Sequence, residues 1–235
     1  MNLHNLSNVN PYSGTAAAHA DADARASFLQ RTYSLLLGGV FVFAATLWAA
    51  GNVEPVRDLA LGLARGGWLI CMAVIVGGGI AVRWLADRHP INLVAYFAYA
   101  FAFGLLLAPI VLFTAAVEPR VLTQAAIVTG LVFTGLTGYV FVSRKDFSFL
   151  GGALAIGAFA LLGLLFAGWM FGFELGLWFS VAGVLIYAGF ILYDTSRILH
   201  HYPPTAHVRA AIELFVSLIM LFQYVLHLLM SLNND

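Results

Sequence analysis

Seven long apolar segments dominate this sequence and constrain its fold more than any other feature. Most approach the roughly 20 residues that a helix needs to cross the hydrocarbon core of a bilayer. Hydrophobic residues make up 62% of the chain and charged residues only 9%, whereas roughly a quarter are charged in soluble domains. We predict an all-α integral membrane protein with seven transmembrane helices, over about residues 33–50, 66–82, 92–115, 125–142, 149–173, 175–192 and 211–230.

The first 27 residues differ in composition from the rest of the chain. Asn, Ser, Ala, Pro and Gly dominate them, and no apolar signal core is present. Little apolar area is available there to offset the cost of ordering the chain. We predict a flexible cytoplasmic N-terminal tail over residues 1–27 and a seven-helix transmembrane domain over residues 28–235.

The basic residues in the loops predict the orientation, because cytoplasmic loops carry an excess of Lys and Arg. Three of them, Arg57, Arg65 and Arg120, lie on the side away from the tail. We therefore expect the N-terminus in the cytoplasm and, after seven spans, the C-terminus on the other side. The larger group lies on the side of the tail and comprises Arg25, Arg31, Arg83, Arg88, Arg144, Lys145, Arg197 and Arg209.

The last apolar segment differs from the others because it carries a stripe of polar side chains. Glu213, Ser217, Tyr224 and His227 fall near one face of a helix, and Gln223 lies beside that face. Lipid offers no hydrogen-bond partners to such groups, so the stripe is expected to face protein or water. The seventh helix is therefore predicted to be the centre of the bundle. The alternative is that Glu213 and His227 lie near opposite membrane interfaces and reach toward water.

Two carboxylates flank the loop between the sixth and seventh spans. Asp194 is predicted to end the sixth span and Glu213 to begin the seventh, so the two lie at similar depth. Two close carboxylates repel when both are ionised, and such a pair would share a proton or accept a cation. The alternative for Asp194 is a hydrated helix end, with Arg197 partly neutralising its charge.

Several functional classes are disfavoured by the residues present. A retinal protein needs a lysine within a span, and the only lysine is Lys145, in a loop. An intramembrane aspartyl protease needs two aspartates, and no apolar segment offers a second. Ser217 and His227 lie about 15 Å apart along the helix axis, so they cannot form a hydrolase site. We predict no enzyme, no metal site and, with eleven acids and eleven bases, no nucleic-acid binding.

Small residues at helix-face spacing suggest two further features. Gly130, Thr134 and Gly138 are four apart in the fourth span, which favours close helix contact over the mere abundance of glycine in membrane helices. The similar series from Gly168 through Gly172 to Gly176 is interpreted instead as a tight turn between the fifth and sixth spans.

Three stretches together resemble the Bax inhibitor family of membrane proteins, in particular its proteobacterial YccA-like branch. They are SRKDFSFLGGAL at 143–154, GFILYDTSRILHH at 189–201 and RAAIELFVSLIMLF at 209–222. The stretch FGLLLAPIV at 103–111 is similar as well. The resemblance runs from about Arg31 to the end of the chain and implies a bundle around a central, hydrophobic seventh helix in a bacterial inner membrane.

The resemblance also implies a candidate site. Some members of the family have two aspartates between the sixth and seventh helices that sense protons and gate a calcium leak. Asp194 matches the first aspartate, whereas the second position is Ser217. Glu213 lies one turn before Ser217 on the same face, and our own inference is that it supplies the missing carboxylate. Arg83 is a candidate lock for Asp194.

The YccA-like branch implies a partner. Its members bind the membrane-anchored, ATP-dependent protease FtsH, in assemblies that include HflK and HflC, and inhibit it as slowly processed substrates. The leading prediction is an FtsH regulator whose tail is the handle and whose bundle resists extraction. The alternative is a pH-sensitive cation leak, with calcium as the ion and no other cofactor.

Overall fold

The computed structural model describes residues 22–173 and 175–233, and within these ranges the chain is helical with no strand. A short π-helical stretch, Ala73–Gly77, joins α3 to α4, and a 3₁₀ turn, Ser148–Leu150, precedes α7. The α-helices are α1 Ala22–Asn52, α2 Glu54–Arg65, α3 Gly67–Met72, α4 Gly78–Leu85, α5 Ile91–Val117, α6 Pro119–Ser143, α7 Gly151–Phe171, α8 Leu177–His200 and α9 His207–Asn233.

Six of the described helices, α1 and α5 to α9, are long and apolar enough to cross a membrane. The second predicted span is built differently. Between α1 and α5, the helix α2 and the stretch from Ile70 to Leu85 form a pair bent by 109°. The stretch from α3 to α4 is the apolar part of that pair and corresponds to the predicted segment 66–82.

The directions of α1 and α5 require this stretch to cross the membrane. The Tyr96 hydroxyl near the start of α5 donates to the Leu35 carbonyl in α1, at 3.1 Å. Farther along both helices, Gly104 packs against Thr46. The two helices are therefore parallel, and the chain between them must return to the side from which it started. The prediction of seven transmembrane helices is confirmed.

The short helix α2 lies at the far end of α1. It begins with a proline in its first turn and buries Ala60 against Ala50, Leu105 and Ala108. The Arg57 guanidinium folds back on the end of α1 and donates to the carbonyls of Ala50 and Gly51. The last carbonyls of a helix have no partner within the helix, so this arginine caps α1.

Helix α9 is the centre of the bundle, as predicted. In an apolar stretch of 18 residues in α9, 56% of the residues are buried, against 11% in the corresponding stretch of α7. It packs against α1, α4, α5, α6 and α8, whereas α7 packs mainly on α8 at the periphery. The Phe215 ring of α9 lies edge-on to the rings of Phe43, Tyr96 and Phe103, with centroids 5.8–6.5 Å apart. Such aromatic pairs contribute about 0.5–1.5 kcal/mol each beyond the area they bury.

Several helix boundaries differ from the prediction, and three of them affect the predicted tail or the ends of α8 and α9. Helix α1 begins at Ala22, so residues 22–27 of the predicted tail are helical, since ADARAS is rich in alanine and carries Asp23 in the first turn. Residues 1–21 of that tail lie outside the described part. Helix α8 continues to His200 and α9 begins at His207. Asp194 therefore lies well inside α8 and does not end it.

The two predictions about glycine positions have different outcomes. A Cβ added at Gly130 or Gly138 would meet nothing within 4 Å, so the predicted helix contact at these positions is wrong. Both glycines lie on a face of α6 that other helices leave uncovered there. The predicted turn is confirmed, because Gly172 has a φ of 72° and ends α7. Glycine is favoured there because side chains strain that backbone conformation.

Candidate functional site

A cavity of about 300 Å³ lies between α8 and α9, with α4 and α7 closing its sides. The four residues named from the sequence as proton- or cation-sensing candidates all line it. They share its wall with a group of aromatic and apolar side chains. The lining residues are Arg83, Ala158, Tyr187, Phe190, Tyr193, Asp194, Arg197, Glu213, Val216 and Ser217.

Asp194 is buried and bonded to the position that the family resemblance assigns to a second aspartate. The Ser217 hydroxyl donates to Asp194 Oδ2 at 2.5 Å, and each residue is only 4% exposed. Helix α8 extends past this point because Thr195, Ser196, Ile198 and Leu199 are also buried in the bundle. Its last turn carries Arg197 and His200, which suit the C-terminal end of a helix.

Glu213 lies on the same cavity wall but has a different partner. Arg197 Nη1 donates to Glu213 Oε2 at 3.4 Å. The Arg197 guanidinium also lies over the rings of Tyr193 and Tyr202, at 5.3 and 5.1 Å from the centroids. Cation–π contacts of this kind hold an arginine in place. In the loop after α8, burial, followed by the neighbouring Glu213 charge, raises the pKa of Tyr202.

Arg83 reaches the cavity from α4 and is exposed. Within the described residues, the ion pairs closer than 4.0 Å join other groups, so Arg83 does not clamp Asp194 directly. The cavity wall thus carries two carboxylates, one held by a hydroxyl and one by Arg197, and Arg83 is a second cationic side chain on that wall. No group of three His, Cys, Asp or Glu side chains suited to a metal ion occurs in the part of the chain described.

The remaining residues of the predicted polar stripe separate into two environments. Tyr224 is buried and stacks on Tyr187 of α8, with centroids 5.4 Å apart. Gln223 is partly buried, and its Oε1 has no hydrogen-bond partner among the described residues. His227 is exposed. This exposure agrees with the alternative in which His227 lies near a membrane interface, because burial along α9 gives way to partial exposure after Leu226, toward the helix end.

The packing of Tyr224 depends on a glycine that the sequence analysis missed. Gly183 of α8 lies directly against the Tyr224 ring, so that a Cβ at this position would overlap it. Phe179 closes the other side of the ring at 5.6 Å. Because Tyr187 also lines the cavity, the Tyr187–Tyr224 pair forms the inner end of the cavity along the α8–α9 contact.

A second polar cluster, also missed from the sequence, holds the α6–α7 loop against α8. The Phe147 amide donates to Ser196 Oγ at 2.8 Å, and that hydroxyl donates to Asp146 Oδ1 at 3.2 Å. His201 Nε2 lies 3.6 Å from Asp146 Oδ2. The Ser148 amide, then the Ser196 hydroxyl and the His201 charge, hold the pKa of Asp146 below its usual range. The acid in SRKDFSF was visible in the sequence, but nothing there indicated Ser196 as its partner.

Comparison with known proteins gives consistent matches. The family model described as inhibitor of apoptosis-promoting Bax1 matches residues 25–234. Protein lifeguard 4 of Mus musculus is 30% identical over 224 residues, which cover 94% of this chain and 92% of that protein. An uncharacterized membrane protein of Vibrio cholerae is 30% identical over 217 residues, covering 90% and 96%. Bax inhibitor 1 of Schizosaccharomyces pombe is 27% identical over 230 residues, covering 94% and 82%.

Proposed function

The chain belongs to the Bax inhibitor family of membrane proteins, and from that premise we propose that it is a proton-controlled cation leak, with calcium as the ion, regulated at the cavity between α8 and α9. The observation that carries the proposal is that Asp194 is buried on the cavity wall and, among the described residues, has one side-chain hydrogen bond, from Ser217. An ionised carboxylate offers about four acceptor positions. Asp194 therefore has capacity left for a proton or for contact with a cation.

In the proposal, the dependence of the leak on protons follows from the charges around the cavity. With a proton on Asp194, the only negative charge on the wall is Glu213, which Arg197 offsets. When that proton leaves, a second negative charge appears on a side chain that is only 4% exposed. A buried charge is costly unless it is paired. The cost is reduced when α8 and α9 separate and water or a cation enters.

The aromatic pair at the inner end of the cavity provides the barrier. Tyr187 belongs to α8 and Tyr224 to α9, so their stacking depends on the spacing of the two helices. Because protein interiors are close-packed, a small increase in the distance between two packed helices produces a discrete rearrangement of their side chains. In the proposal, separation of the two rings opens a path along the α8–α9 contact toward the opposite side. Calcium is the transported ion, and no catalytic residue is required.

The test is calcium flux into vesicles that contain the purified protein and a calcium-sensitive dye. Flux is expected to depend on pH for the unchanged protein. Asp194→Asn should abolish that dependence, because the amide cannot ionise. Asp58→Asn is the matched control, since Asp58 is an exposed carboxylate of α2, a helix that contributes no residue to the cavity lining. A pH-dependent flux that survives in Asp194→Asn, or the absence of flux at every pH, contradicts the proposal.

A second candidate function is binding and slow processing by the protease FtsH, with HflK and HflC as further partners. It is favoured by the YccA-like stretches and by the polar composition of residues 1–21. In this proposal the chain lies in a bacterial inner membrane, with its N-terminus in the cytoplasm and its C-terminus in the periplasm. The N-terminal segment is the handle for the protease, and the packed bundle slows extraction.

Protein lifetime in cells tests the second function. Deletion of residues 2–21 should lengthen the lifetime when FtsH is active and leave it unchanged when FtsH is inactive. Replacement of the same residues by an unrelated polar segment of equal length is the control, because a handle depends on length more than on sequence. An equal lifetime for the deletion and the unchanged protein contradicts this function. Affinity capture from detergent extracts should recover FtsH in parallel.

A further inference from the structure

A second and larger cavity, unrelated to the one between α8 and α9, opens on the side of the bundle between α1 and α6. Its volume is about 540 Å³, and α5 and α9 form its base. We call it the α1–α6 groove. No charged side chain lines it, and its polar side chains are Asn52 at one end, Trp48 on the rim and Thr129 in the wall.

The groove follows from the side chains that α1 and α6 present to each other. Near one end of the bundle, the ring of Tyr33 in α1 contacts the ring of Phe141 in α6, with the ring centroids 6.0 Å apart. Toward the other end, the facing positions are small residues such as Ala44, Ala126 and Gly130. A side chain at Gly130 would enter open space. The gap therefore results from the sequence of both helices.

The length and depth of the groove match half of a bilayer. It runs along α1 from Val40 to Asn52, the last residue of that helix, which is about 18 Å of helix. Along α6 it runs from Leu122, close to the helix start, to Gly130. One leaflet of the hydrocarbon core is about 15 Å deep. The groove thus extends from one interface to about the middle of the membrane.

One cationic side chain, Arg57, lies at the mouth of the groove, where its guanidinium can contact a phosphate. Arg57 donates to the carbonyl of Gly51, a lining residue, so its guanidinium lies beside the end marked by Asn52. The ion pairs within the described residues involve other arginines and a histidine, which leaves the remaining Arg57 donors open to a ligand. The nearby helix ends also carry Glu54, Asp58 and Glu118, which are exposed. Guanidinium groups bind phosphate with paired hydrogen bonds.

We propose that the α1–α6 groove binds one phospholipid, with an acyl chain between the two helices and the phosphate at Arg57. The lipid comes from the leaflet opposite the start of α1. Continuity with the surrounding lipid supports this occupant, because the rim residue Trp48 is 68% exposed. Thr129 is 4% exposed, and its hydroxyl has no partner among the described residues. A hydrocarbon chain leaves that hydroxyl unsatisfied, so Thr129→Val should bind lipid at least as well.

Native mass spectrometry of the full chain, extracted with mild detergent from vesicles of dioleoylphosphatidylglycerol, tests the groove. The unchanged protein should retain one lipid per chain, as should Thr129→Val. Gly130→Leu should lose it, because the side chain fills the groove. Gly135→Leu is the matched control, since Gly135 also lies in α6 with nothing within 4 Å of a Cβ but does not line the groove. Equal retention by Gly130→Leu and Gly135→Leu overturns the proposal.

Two comparisons assign the occupant. The unchanged protein should prefer phosphatidylglycerol to a diacylglycerol with the same chains, and Arg57→Gln should reduce that preference about tenfold, the equivalent of one charge-assisted hydrogen bond. An unreduced preference refutes the role of Arg57. If a dimer of the unchanged protein appears without bound lipid, and Gly130→Leu disperses it, the groove holds a second copy of the chain and the lipid proposal is wrong.

Discussion

At the scale of single residues, the hydrogen bond between Ser217 and Asp194 connects α8 and α9, the two helices that share the most extensive contact in the described bundle. Ser217 occupies the position that the family resemblance assigns to a second aspartate. A hydroxyl there neutralises no charge but donates one hydrogen bond, and the other acceptor positions of the Asp194 carboxylate have no partner among the described residues. The second carboxylate, Glu213, lies one turn away and is held by Arg197.

Removal of the Ser217 hydroxyl should leave Asp194 buried without its donor. Ser217→Ala is therefore expected to lower the free energy of unfolding by about 1–3 kcal/mol, measured as a lower thermal midpoint in detergent. Ser180→Ala is the control, because Ser180 is equally buried in α8 but has no carboxylate partner in the described structure. If both variants lower the thermal midpoint by similar amounts, the hydrogen bond to Asp194 contributes no more to stability than another buried serine hydroxyl does.

Asp146 gives a prediction with a defined pH dependence. Hydrogen bonds from the Ser148 amide and the Ser196 hydroxyl hold the pKa of Asp146 below its usual range. A lowered folded-state pKa stabilises the protein at pH values above the unfolded-state pKa, and the stabilisation is lost as the pH falls through the folded-state pKa. Asp146→Asn should thus lower the thermal midpoint at neutral pH.

The difference between Asp146→Asn and the unchanged protein should shrink below about pH 4. Asp58→Asn, an exposed carboxylate of α2, should show no such pattern. A difference that is the same at acid and neutral pH would mean that the carboxylate charge does not hold the α6–α7 loop against α8.

At the scale of helices, the α8–α9 contact depends on the absence of a side chain at Gly183. A Cβ there overlaps the Tyr224 ring, and overpacking of this kind costs about 1–3 kcal/mol. Gly183→Ala should lower the thermal midpoint and raise the basal calcium flux, since the ring of Tyr224 can no longer stack on Tyr187.

Two further variants isolate that effect. Gly163→Ala in α7, where a Cβ meets nothing within 4 Å, should leave both stability and flux unchanged. Adding Tyr224→Leu to Gly183→Ala should recover part of the lost stability, because the smaller side chain leaves room for the Cβ. If the double variant is less stable than the sum of the single changes predicts, the overlap is not the cause.

Which glycines pack closely could not be predicted from spacing. The series at Gly130 and Gly138 has the expected period but faces open space, whereas Gly183 has no such partner at four-residue spacing and is tightly packed. Spacing defines a helix face, and only the neighbouring helix determines whether that face is covered. The same limit applies to His227, which shares the face of Ser217 but is exposed near the end of α9.

The proximity of Asp194 and Glu213 was accessible from the sequence, because a short loop joins two antiparallel helices. The depth of Asp194 was not. The residues DTSR have the polarity of a span end, and hydropathy therefore ended the segment at about 192. In the structure, neighbouring helices bury Asp194, Thr195 and Ser196. Partner choice was also hidden, since Arg197 contacts Glu213 and not Asp194.

At the scale of the whole molecule, the fold separates the two surfaces to which we assign different tasks in the proposals above. The central helix α9 has its polar half turned toward α8, where the cavity lies, and its apolar half toward α1 and α5. The α1–α6 groove lies toward the other end of the bundle. An odd number of spans places the chain termini on opposite sides. Proton control at one membrane face and lipid binding in the opposite leaflet can therefore operate in one bundle.

The central claim is that Asp194 holds either a proton or a cation. Infrared spectroscopy of the reconstituted protein measures this directly through the carbonyl band of the protonated carboxyl group. We predict a band that titrates with pH, is absent in Asp194→Asn, and titrates at lower pH when calcium is present because the two ligands compete. A band that persists in Asp194→Asn, or a titration that calcium leaves unchanged, would contradict the account.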